Sequence, residues 1–150
     1  MAWIDALKGQ LIALDTSPMI YYLEEKQDYI DLLDPLFDML DDGKCSMVTS
    51  VITLAEGLVI PIRANDSELA RKWHDFLYTT GNFTTVDVYP QIAERAAQIR
   101  AAFPKIKVPD AVQVATAIVE GAAVFLTNDT QLAQIPDIKI LVLDKLKLDS

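Results

Sequence analysis

Three features of this sequence predict an α/β fold of three layers, with helices on both faces of a central, mainly parallel five-stranded sheet. Five short apolar runs recur along the chain, helical patterns fill the intervals between them, and no internal repeat, low-complexity tract or linker interrupts the alternation. Strands that alternate with helices pair in parallel, are covered on both faces and connect by right-handed crossovers. The 150 residues, 51% hydrophobic and 23% charged, are expected to form one domain, 1–150, large enough to bury a core.

The first apolar run occupies residues 11–14. A helical pattern follows over about 18–40, where Pro35, lacking an amide hydrogen, is expected to kink or split it. The second strand is expected at 46–49 and a helix at 50–60, with Ser50 suited to cap its first amides. Next come a helix at 67–79, a strand at 83–88 and a helix at 89–103. Pro109 suits a first helical position, so a helix is expected at 109–120. Runs at 123–126 and 138–143 supply the last strands, with a short helix after Asp129 between them. Ligands of such sheets bind at the carboxyl ends of the strands, near the point where strand order reverses.

Composition narrows the function. The longest apolar stretch, 111–126, is shorter than a bilayer span and contains Gln113 and Glu120, so no membrane span is expected. The opening segment, MAWIDALKGQ, lacks the basic and apolar regions of a signal peptide, and the cytoplasm is the expected compartment. One cysteine, Cys45, rules out an internal disulfide framework, and with one histidine, His74, it cannot make a Cys/His zinc site. Any metal must therefore be held by oxygen. A net charge of −9 argues against a broad basic surface for gripping phosphates. Much of the excess lies in 21–42, where eight acids face one base, Lys26. A solvated helical face is the expected reading of that segment, and a docking surface for a basic partner is the sharper alternative.

Four acids stand out. Asp15 follows the first apolar run and Asp129 follows the fourth, with Thr127 and Asn128 as adjacent polar groups. Either acid alone fits a turn or helix cap. In TSVITLAEGL, Thr53 and Glu56 follow the Ser50 cap at three-residue steps, placing Glu56 in an apolar helix where an unpaired carboxylate is costly. Asp110 falls in the first turn of its helix, where the dipole favours its charge.

The segments LDTS, SVITLAE, VPDAVQVATA and LTND, in this order across most of the chain, resemble the PIN domains, most of all the VapC-type toxins. The resemblance implies a parallel sheet covered by helices and a Mg2+- or Mn2+-dependent ribonuclease. Its acidic site falls on Asp15, Glu56, Asp110 and Asp129, with Ser50, Thr53, Thr127 and Asn128 in support. It also implies a small antitoxin that blocks the pocket with a basic side chain, and a homodimer formed through the early helices. Two departures stand out: Gln131 replaces an acid found in some relatives, and Leu132 replaces an aromatic.

The chemistry is consistent with that likeness. At about 5 Å and an effective dielectric of about 20, each pair of ionised carboxylates costs roughly 3 kcal/mol, which a hard divalent cation relieves. Such an ion lowers the pKa of water and stabilises charge on a phosphodiester. Lys107, close before Asp110, is a candidate phosphate contact, whereas Lys105 fits a solvated loop. Other functions fit less well. A receiver domain usually has paired acids after its first strand, but Leu14 precedes Asp15. An aspartyl phosphatase requires an acid at Ser17, and a D-x-S-x-S adhesion site requires a serine at Met19. The remaining alternative is a catalytically inactive interaction domain of the same fold.

Overall fold

The computed structural model describes residues 2–149. Along the chain it contains α1 (Ala2–Asp5), β1 (Leu11–Leu14), α2 (Thr16–Leu23), α3 (Gln27–Asp41), β2 (Ser46–Ser50), α4 (Val51–Gly57), α5 (Val59–Arg63) and α6 (Ser67–Thr79). There follow β3 (Phe83–Val86), α7 (Pro90–Ala102), α8 (Val108–Val119), β4 (Val124–Thr127), a 3-10 turn (Thr130–Gln134), β5 (Lys139–Val142) and α9 (Leu143–Leu148). The five strands form one sheet in the order β3-β2-β1-β4-β5, and every pairing is parallel. The chain builds outward from β1 through β2 to β3 and then returns to place β4 on the other side of β1. Strand order thus reverses between β1 and β4, where Asp15 and Asp129 follow the strand ends.

The alternation of side chains along β1 and β4 explains why these runs read as continuously apolar. Ile12, Leu14, Val124 and Leu126 point into one core with Leu33, Phe37, Trp73 and Leu77 of α3 and α6. Ala13 and Phe125 point into the other with Ile92 and Ile99 of α7 and Val114 and Ala115 of α8. Both faces of the central strands are therefore covered, as a parallel sheet requires.

Several boundaries differ from expectation. The helical segment expected at 18–40 breaks at residues 24–26, not at Pro35. The Lys26 N–H bonds to the Tyr21 carbonyl and the Glu25 N–H to the Tyr22 carbonyl, with Glu25 at φ 50°, which is a Schellman stop. A glutamate stands where glycine would have announced it. Pro35 sits within α3 on the exposed side, while Leu32, Leu33, Leu36 and Phe37 are buried opposite and hold the helix through the lost bond. The acids Asp28, Asp31, Asp34, Asp38 and Asp41 line its exposed side, as expected of a solvated face. The segment expected as one helix at 50–60 is two, α4 and α5, which meet at Leu58, and β3 ends at Val86. The two terminal helices, α1 and α9, were not expected. α9 replaces the last residue of the expected fifth strand.

Gly57 closes α4 against the indole of Trp73, which is fully buried. A Cβ at Gly57 would lie 2.4 Å from Trp73 Cζ3. Alanine in a helix is ordinarily favoured over glycine by about 1 kcal/mol, but here the overlap outweighs that preference. Gly57→Ala should therefore destabilise the fold by roughly 1–3 kcal/mol. Urea denaturation checks this, and an unchanged or raised midpoint would contradict the close packing.

Candidate active site

Asp15 follows β1 and caps α2, and only 5% of its surface is exposed. One carboxylate oxygen accepts the Thr16 N–H at 2.9 Å, and the other accepts the Thr127 hydroxyl at 2.8 Å. Burial pushes its carboxyl up to about 6, against the opposing pull of those two hydrogen bonds, and the nearby charges of Asp110 and Glu56 push it further in the same direction.

Asp110 lies in the first turn of α8, partly exposed. Burial raises its carboxyl above the ordinary range, the charges of Asp129 and Glu56 add to the rise, and Lys107 opposes it. Glu56 and Asp110 are thus each near enough to act on Asp15, and Glu56 and Asp129 on Asp110. Four acids drawn from four distant segments share one region at the carboxyl edge of the sheet. Asp129 caps the 3-10 turn through the Gln131 N–H at 2.9 Å, and its own N–H donates to the Thr127 hydroxyl at 3.0 Å. Thr127 therefore joins Asp15 to Asp129 directly.

Glu56 is exposed, which corrects the expectation that a largely buried helix surrounds it. Only Thr53 and Gly57 of α4 are buried, so the cost of an unpaired buried charge does not apply. What places Glu56 is a hydrogen bond, 2.5 Å, from the Thr16 hydroxyl to its Oε1. Thr16, which follows Asp15 directly, joins the site without a local sequence pattern to mark it. Gln113, one helical turn after Asp110, joins it too, its amide meeting Thr16, Thr53 and Ser50. The available signal was an amide in an otherwise apolar stretch of helix. Thr116, the other polar residue of that stretch, bonds to the Val112 carbonyl of its own helix and takes no part.

Ser50 and Thr53 act in this buried network rather than at the acids. The hydrogen bonds of the Asn128 side chain lie away from the four acids. Its side chain turns to the stacked pair Tyr21 and Tyr29, donating to both hydroxyls, and its Oδ1 accepts the Asp144 N–H in the first turn of α9. It secures α9 to α2 and α3, while Thr127 bonds to Asp15. Lys107 is exposed at the start of α8, and Lys105 is exposed in the preceding loop.

Among the described residues, no three His, Cys, Asp or Glu side chains close round a point as a ready-made ion cage. The arrangement still fits a hard cation that keeps several waters and needs only one or two carboxylates at once. The fit rests on the oxygen-only donors and on the carboxyls of Asp15 and Asp110, which burial raises first and the neighbouring acids raise further. A cavity of about 670 Å³ between α2–α3 and α6 is lined by Tyr22, Ile30, Asp34, Arg71, Lys72 and Phe76, among others, and contains none of the four acids. Charge and hydrogen bonding, rather than concavity, locate the candidate site.

Comparison with known proteins follows the same lines. No curated protein sequence matches the chain. Among solved structures, VapBC2 from Rickettsia felis bound to a promoter DNA fragment is similar over 88% of this chain and 98% of that one, with 18% identity and a TM-score of 0.67. DNA-bound VapBC from Salmonella typhimurium matches over 89% and 98%, with 23% identity and a TM-score of 0.62. VapC20 of Mycobacterium tuberculosis, a Sarcin-Ricin loop cleaving toxin, matches over 85% and 98%, with 16% identity and a TM-score of 0.64. At these identities the likeness is one of fold, and it agrees with the five-stranded parallel sheet. The PIN domain family model matches residues 12–138, and with that extent of agreement the chain belongs to the PIN domain family.

Proposed function

We propose that this protein is a metal-dependent ribonuclease that hydrolyses RNA phosphodiester bonds and serves as the toxin of a toxin–antitoxin pair. The observation that carries the reading is the grouping of Asp15, Glu56, Asp110 and Asp129, with Asp15 and Asp110 both pushed up by burial and by neighbouring acids. Mg2+ or Mn2+ would be held among these four carboxylates, by one or two of them at once, with waters completing its shell. When bound, the ion supplies Lewis acidity to the phosphoryl oxygens and lowers the pKa of the attacking water.

The protein's own groups do the rest. Thr127 and the Thr16 amide hold the Asp15 carboxylate in one orientation, and the Thr16 hydroxyl holds Glu56. Glu56 Oε2, the oxygen not bonded to Thr16, accepts the proton of the water that attacks phosphorus, the bond to the leaving oxygen breaks in line, and that oxygen takes a proton from solvent. Lys107 contacts a flanking phosphate. Lys107→Ala should then raise KM for RNA roughly three- to tenfold with little change in kcat, and should flatten the salt dependence of binding. An unchanged KM would remove Lys107 from the interface.

The domain acts in the cytoplasm in this reading, as a single unit and as a homodimer in contact through its early helices. Among the described residues, no helix is long and apolar enough to cross a membrane. The likeness to VapBC assemblies supports a small antitoxin partner, and in this reading a basic side chain of that partner enters among the carboxylates. Cleavage of RNA with Mg2+ or Mn2+, its loss in EDTA, and growth arrest on expression without a partner test the reading. Absence of cleavage under every metal condition would favour an inactive interaction domain.

A further inference from the structure

We infer that Gln113 is a positioning residue, whose side-chain amide ties together the three helices that present Asp15, Glu56 and Asp110 and directs the Thr16 hydroxyl onto Glu56. The inference rests on the nuclease reading above and goes beyond it, because the amide touches none of the reacting groups.

Counting hydrogens gives every bond in the network a direction. Thr49 donates its one hydroxyl hydrogen to the Leu14 carbonyl at 2.8 Å. At its 2.6 Å contact with Thr53, the hydrogen therefore comes from Thr53. Thr53 can then only accept from Gln113, whose Nε2 lies 2.8 Å away. The second hydrogen of that nitrogen goes to Thr16 Oγ1 at 3.1 Å. Because Thr53 can only accept, the amide atom facing it is the nitrogen, and the oxygen at the other end accepts the Ser50 hydroxyl at 2.6 Å, while Ser50 itself accepts the Ile52 N–H at 3.1 Å. Since Gln113 donates to Thr16, the Thr16 hydrogen is left for Glu56.

The side chain is placed to transmit position. Gln113 is 2% exposed, and Ser50, Thr49 and Thr53 are at most 1% exposed, so water does not substitute for their partners. Thr16 begins α2 beside Asp15, Ser50 and Thr53 belong to the start of α4 ahead of Glu56, and Gln113 follows Asp110 by three residues on α8. One planar amide thus spans the elements that present three of the four acids. Loss of its donors and acceptor leaves those elements packed but their spacing unconstrained at the acidic edge.

Mn2+ binding by the full chain, measured by calorimetry beside RNA cleavage, tests this in wild type, Gln113→Met, Thr16→Val and Thr16→Ser. Gln113→Met and Thr16→Val should each bind Mn2+ roughly tenfold more weakly or worse, in line with removal of groups that orient ligands. Thr16→Ser, which keeps the hydroxyl, should retain wild-type affinity, a rescue that a packing role alone would not produce. Wild-type affinity in folded Gln113→Met or Thr16→Val would overturn the inference while leaving an active wild type as a nuclease. Should Gln113→Met fail to fold, Thr16→Val against Thr16→Ser decides alone. A wild type that neither binds Mn2+ nor cleaves RNA would overturn the nuclease reading itself, and this inference with it.

Discussion

Asp110→Asn should lower metal-dependent RNA cleavage by on the order of 10³-fold or more, about 4 kcal/mol of transition-state stabilisation, while leaving the fold intact. Asp110 occupies the middle of the acid group. Its carboxyl is raised by burial first, then by Asp129 and Glu56, and is opposed by Lys107. Those same repulsions mean that the metal-free protein gains rather than loses when the charge is removed. Stability and activity are therefore expected to move in opposite directions, a pattern that general damage to the fold does not produce. Single-turnover cleavage with saturating Mg2+ or Mn2+, beside a thermal melt of the same preparation, measures both. Residual activity within tenfold of wild type would remove Asp110 from the catalytic group.

Asp15 yields the second large effect, through pH. Its carboxyl is displaced from the ordinary 3.8 to about 6 in the folded protein, mainly by burial. The folded state thus holds this proton more tightly than the unfolded chain. Its contribution is fully present below about 3.8 and is lost as pH rises through about 6, a change of about 3 kcal/mol. In the absence of metal, Asp15→Asn should therefore be more stable than wild type at pH 7.5 by up to about 3 kcal/mol, with the difference closing below pH 4. An asparagine there can still accept the Thr16 N–H through its amide oxygen. Added Mg2+ should raise the wild-type midpoint by mass action and barely move the variant. Denaturant titrations across pH, with and without metal, give the curve. A wild-type advantage at pH 7.5 without metal would contradict the assignment.

Much of the candidate site was legible without coordinates because its acids stand at positions that local patterns define. Asp15 and Asp129 follow buried strands whose two faces are both covered, which is why Leu11–Leu14 and Val124–Thr127 read so clearly as strands. Asp110 follows Pro109, which marks the start of a helix. Glu56 stands out in the sequence as a charge in an apolar helix, but α4 is more exposed than its apolar residues suggest, and the Thr16 hydroxyl, forty positions away, is what secures it.

The helix stop at Glu25 was hidden because a glutamate takes the left-handed position, its backbone held by the bonds from residues 25 and 26 to Tyr22 and Tyr21. Asn128 could not be read from its place beside Thr127, since its partners come from α2, α3 and α9. The sequence by itself determined the order of strands and helices, limited any metal to oxygen donors and marked the four candidate acids, because periodicity, capping and composition act over a few residues. Tertiary structure alone decided which hydroxyls and amides hold those acids. A buried hydrogen bond requires its partner within about 3 Å, and only folding brings Thr16, Ser50, Thr53 and Gln113 that close.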